Sequence, residues 1–397
     1  MEFIFHRPRP LIFFHSVTIL MILGSLALNG FSQALPSNSK RVRASDLGVR
    51  VGNMPTGKWN AITDVHGVKV GHTTIHQGKE IHTGVTIVLP HGDNIFQQKV
   101  PASIVVGNGF GKLVGSTQVI ELGNIETPIA LTSTLSVGPV MNSLVRYTLD
   151  LPGNKNVHSV NAVVGETNDG YLNDIREFRI NKDHVFAAIH SAKSGPVEEG
   201  SVGAGSGTQC FGFKGGIGTS SRVVTTPTGQ TFTLGVLVQS NFGNNLKIIG
   251  APIGDTPEAM RAARKQPEGD GSCMIVVATD APLSVRNIER LARRALHGMA
   301  RTGSSMSNGS GDYVIAFSTA YRIPYRETGT LEIPPLLHNR YMNRFFVAAM
   351  DATEEAIYNS LFMATTVHGK NGTAPAINLD AVRDSLRKHS LLVDPNE

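Results

Sequence analysis

A short apolar run at 273–278, rich in β-branched residues, sets the strongest limit on the fold. The segment before it, 266–271, is polar and rich in turn-forming residues. An apolar run of this length between turn signals predicts a strand that is buried on both faces. The 42 glycines and 6% aromatic residues also favour many strands and tight turns over a helical bundle.

Similar runs recur along the chain, and helical patterns alternate with them. Ser284 is placed to cap a helix whose apolar residues fall at helical spacing, and a second long helix is predicted at 346–361. Sheets that are covered on both faces and flanked by helices predict a layered α/β protein. The remaining strand-like runs lie at 68–70, 85–89, 103–106, 129–132, 160–164, 232–238 and 313–317.

Ser272 stands at the entry to the 273–278 strand, directly after Gly271. Its hydroxyl could attack the carbonyl of Gly271, because glycine has no side chain to obstruct a tetrahedral centre and tolerates a distorted backbone. Scission would leave Ser272 as a new N-terminus, the arrangement that N-terminal nucleophile hydrolases use. The free amine, with an ordinary pKa of ~7.7–8.0, could then accept the hydroxyl proton. The alternative is an ordinary serine where a loop enters a strand.

Three other segments place polar residues at the ends of strand-like runs. Asn241 ends one run, the sequence Ser310-Gly-Asp312 precedes another, and a polar segment at 166–174 follows a third. Together with Ser272, these segments resemble the family of L-aminopeptidase/D-esterase and β-peptidyl aminopeptidases. The resemblance extends from about residue 62 to the helical C-terminal region, with the motifs in the family's order.

The resemblance implies a four-layer αββα sandwich in which two sheets pack face to face. It also implies that Ser310 and Asp312 assist Ser272, and that Asn241 stabilises the oxyanion. Some family members carry glutamate where this chain has Asp312. Without the resemblance, Ser310-Gly-Asp312 would be interpreted as a turn that enters a strand.

Two residue assignments in the 166–174 segment are less specific. Tyr171 matches a tyrosine that lines the family's active site, where its hydroxyl could help the oxyanion or the leaving amine; it could equally anchor a loop. An aminopeptidase needs a carboxylate for the charged amine of its substrate. Glu166 is the first choice by position, and Asp169 and Asp174 remain alternatives.

The predicted function is that of a self-processing serine aminopeptidase or amidase that cleaves its own Gly271–Ser272 bond. Fragments 35–271 and 272–397 would form one hydrolase domain, and the resemblance implies a tetramer of cleaved heterodimers. Small peptides, amides or esters are the expected substrates, with the choice between α- and β-aminoacyl groups left open. The alternatives are a self-cleaving acyltransferase of related architecture and an unprocessed, non-catalytic binding protein.

Residues 1–34 have the pattern of a secretory signal peptide. Arg7 and Arg9 precede an apolar stretch at 11–28, and the small residues Ser32 and Ala34 follow. We therefore expect export to the periplasm or the extracellular space and no stable membrane span after processing. The alternative is a membrane anchor, since the stretch is close to the lower length limit for crossing a bilayer.

Neither nucleic acid nor a cofactor is expected as a partner. The chain has no dense basic run of the kind that binds nucleic acid. Its glycine-rich runs at 107–113 and 203–208 lack complete phosphate or dinucleotide motifs and are interpreted as turns near a cleft. We predict that Cys210 and Cys273 are two packed thiols and not a disulfide.

We also predict no metal site. Four histidines that are close in sequence suggest one, but their surroundings are strand-like. Residues four apart on a strand lie about 13 Å apart, too far to share one ion. These histidines are His66, His72, His76 and His82.

Overall fold

A computed structural model describes residues 40–255, 271–326 and 329–392. The predicted signal peptide at 1–34 and the polar segment at 266–270 lie outside the described residues. The helices are α1 Ser116–Leu122, α2 Val137–Asp150, α3 Lys182–His190, α4 Val285–Arg301, α5 Met342–Phe362 and α6 Leu379–Lys388. The strands are β1 Lys69–Gln77, β2 Ile81–Leu89, β3 Gln98–Gly109, β4 Asn124–Ile125, β5 Ile129–Ser133, β6 Val163–Thr167, β7 Gln209–Cys210, β8 Phe213–Lys214, β9 Gly216–Thr225, β10 Thr231–Asn241, β11 Lys247–Ile248, β12 Ala251–Pro252, β13 Gly271–Thr279, β14 Ser310–Ser318, β15 Ile323–Pro324, β16 Val367–Gly369 and β17 Gly372–Ala374.

Two large sheets form the centre of the described part of the chain, beside three two-stranded sheets, β7–β8, β11–β12 and β16–β17. One has four strands in the order β1-β2-β5-β6, and the other has seven, in the order β15-β3-β14-β13-β10-β9 with β4 beside β3. The predicted strand at 273–278 is confirmed as β13, which lies inside the larger sheet, antiparallel to β10 and parallel to β14. Every residue of β13 after Gly271 is buried.

Apolar clusters on both faces of each sheet define the layers. Met274 and Leu131 belong to the cluster between the two sheets. Val185 of α3 lies in the cluster on the outer face of the smaller sheet. Ile288 of α4 and Ile357 of α5 lie in the cluster on the outer face of the larger sheet. Helices therefore flank two stacked sheets, which confirms the expected αββα sandwich.

Two local predictions, the Ser284 cap and the unpaired cysteines, are also confirmed. The Ser284 side chain caps α4 by accepting a hydrogen bond from the Asn287 N–H at 3.3 Å. Cys210 and Cys273 are free and buried, as two packed thiols require. Among the helices of the described residues, none is long and apolar enough to cross a membrane.

The contact between α5 and the larger sheet depends on Gly218 of β9. A Cβ atom at this position would lie 1.9 Å from the Ala356 carbonyl oxygen, so no side chain fits without moving the helix. We expect Gly218→Ala to lower the free energy of unfolding by at least about 2 kcal/mol. Denaturant unfolding would measure this, with Gly138→Ala as the control because a Cβ there meets no atom within 4 Å. Equal stability of the two variants would contradict the expectation.

Candidate active site

The start of β13 places Ser272 next to Asn241. In the strand register, Ser272 faces Asn241 of β10 on one side and Gly311 of β14 on the other. Residues that face each other across a sheet point to the same side, and side chains alternate along a strand. Ser272 and Asn241 therefore share the face of Met274, which packs between the sheets. Both are buried, at 4% and 8% exposure.

The orientation of the Asn241 carboxamide is fixed by Gln209. Asn241 Oδ1 accepts a hydrogen bond of 3.0 Å from the Gln209 N–H. The carbonyl end is therefore occupied, and Nδ2 is the end that can donate. A preorganised N–H donor beside a nucleophile is what an oxyanion hole requires.

Ser310 and Asp312 lie on the other face of the same sheet. Asp312 faces Cys273 in the register, and Ser310 faces Gly271. A Cβ atom on Gly271 would lie 3.3 Å from Ser310 Oγ, so this hydroxyl sits against Gly271. Among the residues that the structure describes, no hydrogen bond joins Ser310 Oγ to Ser272. The Ser310 hydroxyl is therefore next to the residue whose carbonyl Ser272 would attack.

The Ser310–Asp312 pair is buried and unsatisfied. Ser310 Oγ and both carboxylate oxygens of Asp312 have no partner of ordinary hydrogen-bond geometry in the described parts of the chain. Burial raises the pKa of Asp312 to about 6, although the nearby Ser310 hydroxyl and the Cys273 N–H lower it. Because burying an unpaired polar group is costly, such groups usually have a functional reason.

Glu166 reaches the same end of the sheets from β6. A Cβ on Gly165 would lie 2.6 Å from Met274 Sδ, so β6 packs closely over the start of β13. Glu166 is buried, and its Oε1 accepts a hydrogen bond of 3.0 Å from the Lys112 N–H. Lys112 Nζ lies 3.8 Å from the same oxygen. Burial raises the pKa of Glu166, and Lys112 lowers it.

Tyr313 belongs to the site, although sequence analysis did not select it. A Cβ on Gly111 would lie 3.0 Å from Glu166 Oε1 and 3.2 Å from the Tyr313 hydroxyl. Burial raises the pKa of Tyr313, and the negative charges of Glu166 and Asp312 raise it further. Tyr313 is therefore close to both carboxylates. Its position directly after Asp312, as a polar-tipped aromatic in an apolar strand, was the available signal.

The two alternative carboxylates are engaged elsewhere. Asp174 forms an ion pair with Lys370. Asp169 is fully buried and accepts hydrogen bonds from three neighbouring side chains, namely Thr83, Ser133 and Asn173.

Tyr171 packs against the β16–β17 hairpin. A Cβ on Gly372 would lie 2.2 Å from its hydroxyl oxygen, so the ring fills the space over that glycine. Its backbone carbonyl also accepts a hydrogen bond of 3.0 Å from the Asn371 N–H. No hydrogen bond between Tyr171 and Ser272 is present among the described residues. The contacts of Tyr171 among the described residues are those of a side chain that anchors the β16–β17 hairpin.

Two of the four histidines meet across strands. His76 of β1 and His82 of β2 are register partners, and their Nδ1 atoms are 2.9 Å apart. Spacing along one strand does not predict this pair, because the two histidines lie on neighbouring strands. Within the described ranges, no group of three or more His, Cys, Asp and Glu residues is arranged to hold a metal ion.

The chain belongs to Peptidase family S58, whose family model matches residues 60–374. It is a serine-type aminopeptidase hydrolase. These findings confirm the resemblance on which the site assignment was based.

Three known proteins illustrate the relationship. "Beta-peptidyl aminopeptidase BapA" of Sphingosinicella microcystinivorans is 40% identical over 382 residues, which cover 90% of this chain and 93% of that protein. The Burkholderia sp. beta-aminopeptidase structure has a TM-score of 0.80 at 38% identity, covering 87% of this chain and 99% of that one. The L-aminopeptidase D-Ala-esterase/amidase of Ochrobactrum anthropi has a TM-score of 0.81 at 35% identity, covering 88% and 99%. Its structure is described as a variant of the Ntn hydrolase fold.

Proposed function

We propose that this chain is a self-processing serine aminopeptidase that cuts its own Gly271–Ser272 bond. It then releases N-terminal residues, including β-aminoacyl residues, from small peptides, amides and esters. One observation carries the proposal. Ser272 stands at the start of a central strand with the donor Asn241 beside it, the unsatisfied Ser310 hydroxyl against Gly271, and Asp312 opposite Cys273.

Processing would take place in two balanced steps. Ser272 Oγ attacks the Gly271 carbonyl carbon, a C–O bond forms, and the C–N bond breaks. The proton of the hydroxyl ends on the released amine, so that an ester links the two parts of the chain. Water then hydrolyses this ester to give a Gly271 carboxylate and restores the Ser272 hydroxyl.

Turnover would repeat the same chemistry on a substrate. The free α-amine of Ser272 accepts the hydroxyl proton as Oγ attacks the substrate carbonyl. Asn241 Nδ2 donates to the developing oxyanion. The leaving amine takes the proton, and water hydrolyses the acyl-enzyme. Glu166, a buried carboxylate held in place by the Lys112 N–H, would bind the ammonium group of the substrate.

A substrate panel tests the proposed activity. The names of the relatives support β-aminoacyl substrates for this chain. We expect purified protein to release nitroaniline from β- and small α-aminoacyl nitroanilides. N-acetylated versions should react at least ~100-fold more slowly, because they lack the charge that Glu166 would pair with. Equal rates on free and acetylated substrates would contradict ammonium recognition, and no release from any substrate would contradict the activity.

The protonation of Asp312 should control processing. Because burial raises the pKa of Asp312 to about 6 in the uncut chain, its carboxylate is lost as the pH falls through that value. We therefore expect the self-cleavage rate to fall below about pH 6. After cleavage, the α-amine of Ser272 must be neutral to accept the hydroxyl proton, so turnover should fall as the pH drops through the ordinary α-amine pKa of ~7.7–8.0, at higher pH than processing. Uncut chain from cell-free synthesis, shifted to buffers of different pH and followed on denaturing gels, would measure this. A rate that is constant from about pH 4.5 to 8 would contradict it.

Export and assembly belong to the same proposal. The charged and apolar pattern of residues 1–34 supports a signal peptide, with the mature chain starting near Leu35 in the periplasm or outside the cell. The family resemblance supports a tetramer of cleaved heterodimers. Protein N-terminal sequencing of the exported material and light scattering would test these two expectations separately.

A further inference from the structure

Lys214 is a completely buried lysine that the chemistry above does not use. It lies in β8 with 0% exposure. Its Nζ donates to the carbonyl oxygens of Gly205, at 2.7 Å, and Gly215, at 2.8 Å. It makes no ion pair with a carboxylate among the described residues. Lysine is almost never fully buried without such a pair, so the position requires an explanation.

The two carbonyls that Lys214 binds belong to the segment that orients Asn241. Lys214 is the cross-strand partner of Gln209 in the β7–β8 hairpin. The Gln209 N–H in turn holds Asn241 Oδ1 at 3.0 Å. A Cβ on Gly215 would lie 2.6 Å from the Ser240 carbonyl oxygen and 3.0 Å from the Gln209 carbonyl carbon. The hairpin is therefore pressed against the last residues of β10, where Asn241 lies.

We propose that Lys214 is a positioning residue for the oxyanion donor. Its ammonium group donates hydrogen bonds to the Gly205 and Gly215 carbonyls, before and after the β7–β8 hairpin. These bonds hold the hairpin in place, and with it the Gln209 N–H that binds Asn241. This inference rests on the proposed role of Asn241 in the aminopeptidase reaction.

The ionisable neighbours of Lys214 are of both signs. Asp169 and the Cys210 thiol favour the ammonium form, with Asp169 the larger influence. His76 and His82 face the same space, where burial lowers the pKa of both imidazoles and the charge of Lys214 lowers it further. Both shifts favour neutral imidazoles, so the two histidines add little positive charge beside Lys214.

The buried ammonium group of Lys214 lowers the free energy of unfolding. Burial lowers the pKa of Lys214 to about 7, from an ordinary value of 10.5. The unfolded chain therefore binds the proton more tightly than the folded one, and the stability of the wild type rises as the pH increases through this window. Lys214 lowers stability and has no carboxylate partner among the described residues, so its presence favours a functional role over a structural one.

Lys214→Met tests the proposal, with the exposed Lys247→Met as the matched control. Lys214→Met removes the charge and both hydrogen bonds while nearly preserving the volume. We expect its kcat on an aminoacyl nitroanilide to fall about 10- to 100-fold, with KM within about threefold, because a misplaced donor acts mainly on the transition state. Lys247→Met should keep wild-type kinetics.

A double-mutant cycle separates positioning from a merely structural role. If Lys214 acts through Asn241, Lys214→Met should cause little further loss in an Asn241→Ala background. The wild type should lose stability as the pH is lowered from about 10 to 7, whereas Lys214→Met lacks this ionisable group. The melting temperature of the variant minus that of the wild type should therefore increase over this range. If Lys214→Met does not fold, Lys214→Gln, which keeps an N–H donor without the charge, takes its place with the same kinetic expectation.

Three results would overturn the inference. The first is an unchanged kcat for folded Lys214→Met. The second is a double variant whose fold-loss of kcat equals the product of the fold-losses of Lys214→Met and Asn241→Ala. The third is a loss of activity in Lys214→Met that matches its smaller fraction of folded protein. An inactive wild-type protein would instead contradict the proposed function. The two failures are therefore distinguishable in one set of assays.

Discussion

Ser272→Ala is expected to give a chain that stays uncut and is inactive. Alanine has no hydroxyl to attack the Gly271 carbonyl, so neither the ester intermediate nor the new N-terminus can form. Loss of an activated nucleophile typically costs more than ~10⁴-fold in kcat. Denaturing gels should show a single band, and release of nitroaniline from aminoacyl substrates should fall to background.

The control for this variant is Ser307→Ala. Ser307 is an exposed serine in the loop that leads into β14. Its alanine variant should be cut and active like the wild type. Ser272→Cys supplies a second comparison, because a thiol is also a competent nucleophile and should restore some cutting. A Ser272→Ala protein that is cut or that turns over substrate would refute the assigned nucleophile.

Asn241→Ala is expected to lower kcat by about 10²–10³-fold with little change in KM. Its Nδ2 is the donating end of a carboxamide that the Gln209 N–H holds in place. Because the donor acts on charge that develops in the transition state, its loss should appear in kcat. The same variant should process more slowly, since self-cleavage also forms an oxyanion.

Asn241→Asp distinguishes donation from simple packing. Aspartate can still accept the hydrogen bond from Gln209, but it replaces the Nδ2 donor with a carboxylate oxygen. We expect at least as large a loss of kcat as for Asn241→Ala, because the new charge opposes the oxyanion. Near-normal activity of Asn241→Asp in steady-state assays would mean that the side chain only fills space.

Local sequence patterns predicted the features whose residues are all close together in the sequence. The 273–278 run and the Ser284 cap depend on hydrophobicity, turn residues and a capping side chain, which are all close in sequence. The stacking of two sheets depends on pairings between distant segments, and the expectation of an αββα sandwich came from the family resemblance. Periodicity alone does not separate this arrangement from a three-layer fold.

The polar residues of the site could be predicted from the sequence, but the residues that hold them in place could not. Ser272 and Asn241 were identified from their places at strand ends. Gln209 was not, because it contributes a backbone N–H that any residue except proline would carry. Lys214 has no sequence signal of burial, since lysine is usually exposed.

The sequence also did not predict which face of the sheet each polar side chain occupies. Ser310 and Ser272 were expected to meet, but the register between β13 and β14 sets them on opposite sides. A shift of one residue would reverse this arrangement. Register is fixed by the whole sheet and cannot be read from the Ser-Gly-Asp sequence at 310–312.

The state of the Gly271–Ser272 bond in purified, active protein tests the account most directly. N-terminal sequencing together with intact mass measurement would establish it. The account predicts two fragments held in one particle, the smaller of which begins with Ser272. Full activity from a chain whose Gly271–Ser272 bond is intact would contradict it.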